Sequence, residues 1–299
     1  MRFRIVPTSP YDFDLTVGTY GKFEGEAVDN YAAGIYRRVI NIGDRYMLVS
    51  IESVGTVNQP ILSVSVHPES PMVEESEVRR KVENMLSTND DLLVFYSTIA
   101  KDPVLSKVRD DLYGLRPPKA ESLYEALIIA ITEQQISLRA ALVIRGRIAR
   151  RYGEKIRFQG REYYAFPSQS AFANAKARDL IQLGLSRGKA EYVMDLSRKV
   201  SSGELNLEEI AELPTGELIT TLMKIKGIGR WTAEYATVRG LGRLDALPAD
   251  DAALRRVISN LYYGGREVSE QDVRELLDQW GQHRGYAAFY LLSTELSER

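Results

Sequence analysis

Two glycines one residue apart, Gly227 and Gly229, stand in the middle of residues 218–240, LITTLMKIKGIGRWTAEYATVRG, and no other stretch restricts the fold of this chain as strongly. Before them, Leu218, Leu222 and Ile225 recur at helical spacing, which predicts a helix ending at Lys226. A second helical pattern opens at Arg230. Glycine accepts positive φ and carries no side chain, so Gly227-Ile228-Gly229 predicts a tight turn whose backbone a ligand can approach closely. The first amides of the following helix have no partner within it, and with the dipole behind them they attract an anion such as phosphate. A lone Gly-x-Gly is a weak signal, because such turns also join helices that bind nothing.

About twenty residues on comes LDALPADDAALRRVI, 244–258, in which Pro248 breaks the chain and Asp250 and Asp251 stand at the mouth of a helix. An aspartate there caps the helix by accepting an amide. One cap requires one aspartate, so the second is expected to project from the helix start, ionised by the dipole. A carboxylate fixed there suits cleavage of a glycosidic bond, whose transition state carries positive charge on the sugar.

The rest of the chain predicts an α+β architecture. FDLTV (13–17), GIYRRVINI (34–42), YMLVSIESV (46–54) and ILSVSV (61–66) read as strands of an antiparallel sheet, with Gly43-Asp44 as a hairpin turn. Helical pattern starts near Val73 and dominates from about residue 90. The stretch 122–153 reads as two helices broken near Gln135-Ile136-Ser137, and Ser168 reads as a cap. The expected organisation is a small N-terminal antiparallel sheet domain, 1–88, followed by an all-helical domain, 89–299. That domain holds the glycine hairpin at about 215–240 and the aspartate loop at about 244–258.

Composition narrows the chemistry. The chain has no cysteine, which excludes disulfides, cysteine nucleophiles, thiolate zinc sites and iron–sulfur clusters. Its two histidines, His67 and His283, lie far apart with no companion at ligand spacing. No apolar run approaches the roughly 18 residues that span a bilayer, and MRFRIVPTSPYDFD lacks the hydrophobic core of a secretory signal. The expected location is cytoplasmic or nucleoid-associated. The formal net charge is −2, but residues 139–161 carry Arg139, Arg145, Arg147, Arg150, Arg151, Lys155, Arg157 and Arg161 against Glu154 alone. Such a cluster reads as a phosphate-binding surface or as a solvated helix face.

Taken together, the glycine hairpin with its Leu/Ile flank and Thr-Ala, and Asp251 placed 22 residues after Gly229, resemble the helix-hairpin-helix DNA glycosylase superfamily. The register Asp251, Ala252-Ala253-Leu254-Arg255, Arg256-Val257 matches the family's catalytic aspartate at Asp251 rather than Asp250. Members that also cut the strand have a nucleophilic lysine one residue after the hairpin arginine; Trp231 stands there. The resemblance therefore implies a monofunctional enzyme using water. Gly227 to Tyr235 and Arg239-Gly240, LYEALIIAITEQQIS (123–137) and Arg284 to Glu295 are similar to the 3-methyladenine DNA glycosylase II, or AlkA-type, branch. The N-terminal sheet is similar to the TATA-binding-protein-like domain of that branch.

The resemblance implies removal of alkylated purines from damaged double-stranded DNA, leaving an abasic site, by a monomer with no membrane partner. Its alternatives are a non-catalytic helix-hairpin-helix binder of DNA structure and an oxidised-purine glycosylase. Asp251 is implied as the catalytic carboxylate, and Trp231 and Tyr235, at i and i+4, as the walls of the base pocket. A flipped base leaves a gap in the duplex. Gln135, with Gln134 beside it, is implied as the wedge that fills it. Gly227, Ile228, Gly229, Arg230 and Thr232 are implied as DNA backbone contacts. No cofactor is required, but a structural Na+ or K+ is implied at the backbone carbonyls of Lys224, Lys226 and Gly229. Gln135 departs from the apolar wedge of similar members. Ala252 and Leu292 stand where aromatics are found in others.

Overall fold

The computed structural model describes residues 1–297. Five strands, β1 (Arg2–Ile5), β2 (Asn30–Ala32), β3 (Ile35–Ile42), β4 (Arg45–Ser53) and β5 (Leu62–His67), form an antiparallel sheet in the order β1-β5-β4-β3-β2. The pairing of Ile42 with Arg45 places Gly43, at φ 60°, in the tight turn between β3 and β4. Two helices, α1 (Phe13–Gly21) and α2 (Glu75–Met85), cover one face. Phe13, Val17, Val78, Val82 and Met85 pack there with Ile40, Val49, Ile51 and Val64.

Residues 13–17 are thus helix, not the strand expected. Asp12 caps them, its Oδ1 accepting the Leu15 amide at 2.8 Å, and Phe13 and Val17 fall on one helical face. Five residues of mixed apolarity fit either period, and the cap and the sheet beneath decide. The short edge strands β1 and β2 carry too few residues for a pattern to be read.

Thirteen helices follow: α3 (Leu92–Ile99), α4 (Pro103–Asp111), α5 (Leu123–Glu133), α6 (Leu138–Tyr152), α7 (Gln169–Ala173), α8 (Ala177–Leu183), α9 (Arg187–Ser201), α10 (Leu207–Glu212), α11 (Thr215–Leu222), α12 (Arg230–Leu241), α13 (Ala252–Tyr262), α14 (Glu270–Asp278) and α15 (Arg284–Ser297). Serine hydroxyls at Ser122, Ser137, Ser168 and Ser186 each accept an amide of the first turn that follows. The segment is not all-helical as expected. Strands β6 (Lys155–Phe158) and β7 (Arg161–Tyr164) form a hairpin turned by Gln159 and Gly160, both at positive φ. Its Tyr163 and Ala165 pack on Val39 and Leu48, so both faces of the five-stranded sheet are covered.

The helices build two cores. One is contiguous in sequence and joins α5 to α12 around Leu127, Ile131, Val193, Leu218 and Ala233. The other joins α3 and α4 to α13, α14 and α15 around Phe95, Leu105, Leu254, Val257, Trp280 and Tyr290. The chain crosses from the first core to the second between α12 and α13, and the candidate site sits at that crossing. Sheet and helices are locked together by Arg38 of β3, whose guanidinium reaches Asp29 at 2.7 Å and Glu125 of α5 at 2.6 Å. Arg145 of α6 joins the same cluster through Glu26 and Asp29. No helix among the described residues is long and apolar enough to cross a membrane.

Candidate active site

The first helix of the hairpin is shorter, and the turn longer, than the sequence suggests: α11 stops at Leu222, with Met223 as its cap, and residues 223–229 form the turn. Gly227 has φ 87°, and a Cβ there would lie 2.3 Å from the Tyr192 ring, so glycine is needed on both counts. Gly229 differs. Its φ is −88° and a Cβ would meet nothing within 4 Å, so folding leaves the choice open and the glycine keeps clear space before the amides. No side chain caps α12. Its first amides consequently point outward with no partner in the helix.

The implied backbone contacts divide. Arg230 is exposed and paired with Glu234 at 3.3 Å. Ile228 is buried, and its amide is already given to the Ile225 carbonyl at 3.1 Å. Thr232 is only 2% exposed and its hydroxyl accepts from Gln134, so its side chain faces the protein rather than a ligand surface. The carbonyls of Lys224 and Lys226 accept no hydrogen bond among the described residues, whereas Gly229 O accepts the Ala233 amide at 3.0 Å.

Gln134 and Gln135 separate in the same way. The Gln134 carboxamide donates to Gly227 O at 3.0 Å and to Thr232 Oγ1 at 2.9 Å, bracing the end of α5 against the hairpin. Both bonds turn it toward the hairpin. Gln135 is exposed with φ 56°, at the tip of the loop. Lys189 Nζ holds the loop from behind, 2.8 Å from Thr132 O and bonded to Gln134 O.

Trp231 and Tyr235 stack on one face of α12, ring centroids 5.2 Å apart and planes 26° from parallel. Trp231 Nε1 donates to Asp251 Oδ2 at 3.0 Å, bridging the two helical cores. Asp251 Oδ1 accepts the Ala253 and Leu254 amides at 2.9 and 3.0 Å. One residue therefore caps α13 and faces the aromatic pair, where a cap and a separate projecting aspartate were expected. The reason is geometric: a carboxylate has two oxygens, and the cap uses one. Asp250 is exposed and pairs with Arg255 at 3.3 Å.

Glu133 escaped the sequence reading, although a single acid closing the apolar run LYEALIIAIT was there to be noticed. Burial pushes its carboxyl up, while a hydrogen bond from the Tyr235 hydroxyl pulls the other way. Tyr235 is itself pushed well above the ordinary phenol value by burial and by Glu133. Glu234, pushed up by burial and eased by Arg274, clips α12 to α14 at 2.9 Å. Leu292 lies partly buried against the second core.

The basic run proves mixed. Arg145 is buried in the sheet junction, Lys155 and Arg157 pair with Glu162, and Arg139 and Arg147 are exposed. No group of three or more His, Cys, Asp or Glu able to hold a metal occurs among the described residues.

Residues 128–283, which contain both site segments, match the family model described as HhH-GPD superfamily base excision DNA repair protein. The chain is 30% identical over 292 residues to the DNA-3-methyladenine glycosylase of Bacillus subtilis, covering 96% of this chain and 95% of the relative. The solved 3-methyladenine DNA glycosylase of Archaeoglobus fulgidus superposes with a TM-score of 0.88 at 30% identity, covering 98% of each chain. The Schizosaccharomyces pombe 3-methyladenine DNA glycosylase in complex with abasic DNA superposes with a TM-score of 0.57 at 28% identity, over 65% of this chain and 92% of that one.

Proposed function

The chain belongs to the HhH-GPD superfamily of base excision DNA repair proteins, and from that premise we propose that it is a monofunctional DNA glycosylase that excises alkylated purines from duplex DNA. The reading is supported most by the Trp231–Asp251 hydrogen bond, which ties an aromatic face to a fixed carboxylate across the cleft between the two cores.

The outward amides of α12 and Arg230 hold the DNA backbone without reading sequence. Gln135, at the exposed loop tip, fills the space left when the damaged nucleotide turns out of the stack. The electron-poor base lies against Trp231 and Tyr235. As the glycosidic bond lengthens, positive charge moves onto the sugar, and Asp251 stabilises it. Three donors, two helix amides and one indole N–H, fix that carboxylate before the reaction, so little reorganisation is needed when charge develops. Water then attacks the sugar. With Trp231 where a nucleophilic amine would stand, no Schiff base forms and the product is an intact abasic strand. A monovalent cation at the Lys224 and Lys226 carbonyls would offset phosphate charge beside the hairpin, and the enzyme works as a monomer.

Asp251→Asn keeps the cap, since asparagine also accepts helix amides, but removes the charge. Single-turnover base release from methylated duplex DNA is expected to fall by about a hundredfold or more with abasic-DNA affinity retained. Normal release by the variant would remove Asp251 from the mechanism. Binding without release by wild-type protein would favour a DNA-structure binder.

A further inference from the structure

The carboxyl of Glu133 takes no part in the chemistry assigned to Asp251, Trp231 and Tyr235. It ends α5 one residue before Gln134, which is braced to the hairpin, retains some accessible surface, and lies beside the hydroxyl of Tyr235, the ring stacked on Trp231. Asp251, Arg145, Arg239 and Tyr20 also act on it electrostatically. The two guanidinium groups are committed elsewhere: Arg145 to Glu26 and Asp29, Arg239 to the Pro118 carbonyl and to the Tyr20 ring at 4.1 Å. Glu133 forms no ion pair among the described residues. Its backbone is held, because Lys189 grips the carbonyls on either side and Gln134 is braced to the hairpin. A fixed carboxyl without a counter-ion is costly in such a place, which marks it for a ligand that supplies the missing partner.

We propose that Glu133 is a specificity-determining residue: its carboxylate receives the amino edge of the flipped base and favours bases carrying positive charge, as N-alkylated purines do. The assignment rests on the glycosylase reading. It also divides labour between two acids. During cleavage the positive charge leaves the base for the sugar, so a carboxylate beside the base stabilises the captured lesion, whereas Asp251 stabilises the transition state. Glu133 therefore governs which lesion is held rather than how fast a held lesion reacts.

The test follows base release with enzyme in excess, on duplexes carrying 7-methylguanine, which is cationic, or hypoxanthine, which is neutral. Wild type, Glu133→Gln and Glu133→Ala are compared through the ratio of the second-order rate constants for the two lesions. Each ratio is taken within one preparation, so a partly misfolded variant does not move it. Loss of one charge-assisted hydrogen bond predicts a fall of roughly tenfold in both variants, carried by the half-saturating enzyme concentration on 7-methylguanine. A ratio unchanged from wild type, including a parallel fall on both lesions, overturns the assignment alone. Wild-type protein that releases neither base overturns the glycosylase reading and this assignment with it.

Discussion

Two clusters of charge, one buried and one partly exposed, lie within this molecule, and they are built on opposite terms. At the sheet–helix junction Asp29 sits between Arg38 and Arg145; burial alone would raise its carboxyl, yet the two guanidinium groups hold it below the ordinary carboxylate range. At the end of α5, Glu133 forms no ion pair among the described residues, and burial pushes it up while the Tyr235 hydroxyl pulls the other way. Asp251 is held by amides and an indole and forms no ion pair among the described residues. Compensated charge ties the sheet to the helices; uncompensated charge waits for a substrate. A partly buried acid lacking its counter-ion is therefore the better guide to function.

The largest expected effect breaks the compensated cluster. Arg38→Met leaves Asp29 and Glu125 buried without their shared partner, which costs about 3–5 kcal/mol of stability when one member of a buried pair is removed. Urea unfolding should show that loss, while base release per folded molecule stays at the wild-type rate because the cleft is untouched. A loss below about 1 kcal/mol would mean that the junction tolerates unpaired acids, and the contrast between the clusters would fail.

A smaller effect is expected from Trp231→Phe. The ring still stacks on Tyr235, but the N–H that aims Asp251 is gone. One hydrogen bond to a carboxylate is worth about 1.5–3 kcal/mol, so the single-turnover rate per folded molecule should drop at least tenfold. An unaltered rate would show that the α13 amides alone position Asp251.

What the sequence made legible was local. The two glycines, the break at Gln135–Ser137 and the helix start at Asp251 are short-range signals, and the structure places all three around one cleft. Four of the five-stranded sheet's features were harder. Strands β1 and β2 are too short to show alternation, α1 read as strand because FDLTV fits both periods, and the covering hairpin β6–β7 was hidden in a basic run. Its KIRF-QG-REYY pattern is a hairpin signal in its own right. The site's finer assignments depended on which way side chains turn. Thr232 faces inward and Gln134 faces the hairpin because they bond each other, and no spacing rule contains that pairing. Tyr192, which explains Gly227, is 35 residues from it in sequence.

The smallest effect sharpens the comparison most, because it isolates one uncompensated acid. The Glu133 carboxyl has a raised value in the folded state, so the folded protein holds that proton more tightly than the unfolded chain does. Linkage then fixes the sign. Below the unfolded value, about 4.3 for glutamate, both states are protonated and the acid costs nothing extra. As pH rises through the folded value, the cost of ionising it in the cleft appears in full. Tyr235, Tyr20, Arg145, Arg239, Asp251 and Lys189 act on this group. Glutamine does not titrate, so the melting temperature of Glu133→Gln minus that of wild type should increase from pH 5 to pH 8. Any constant offset from the new amide leaves this slope unchanged. A difference that is flat in pH would mean that solvent or Tyr235 fully compensates Glu133. A cation holding it as Arg38 and Arg145 hold Asp29 would also leave the difference flat over this range, and the two clusters would then be alike.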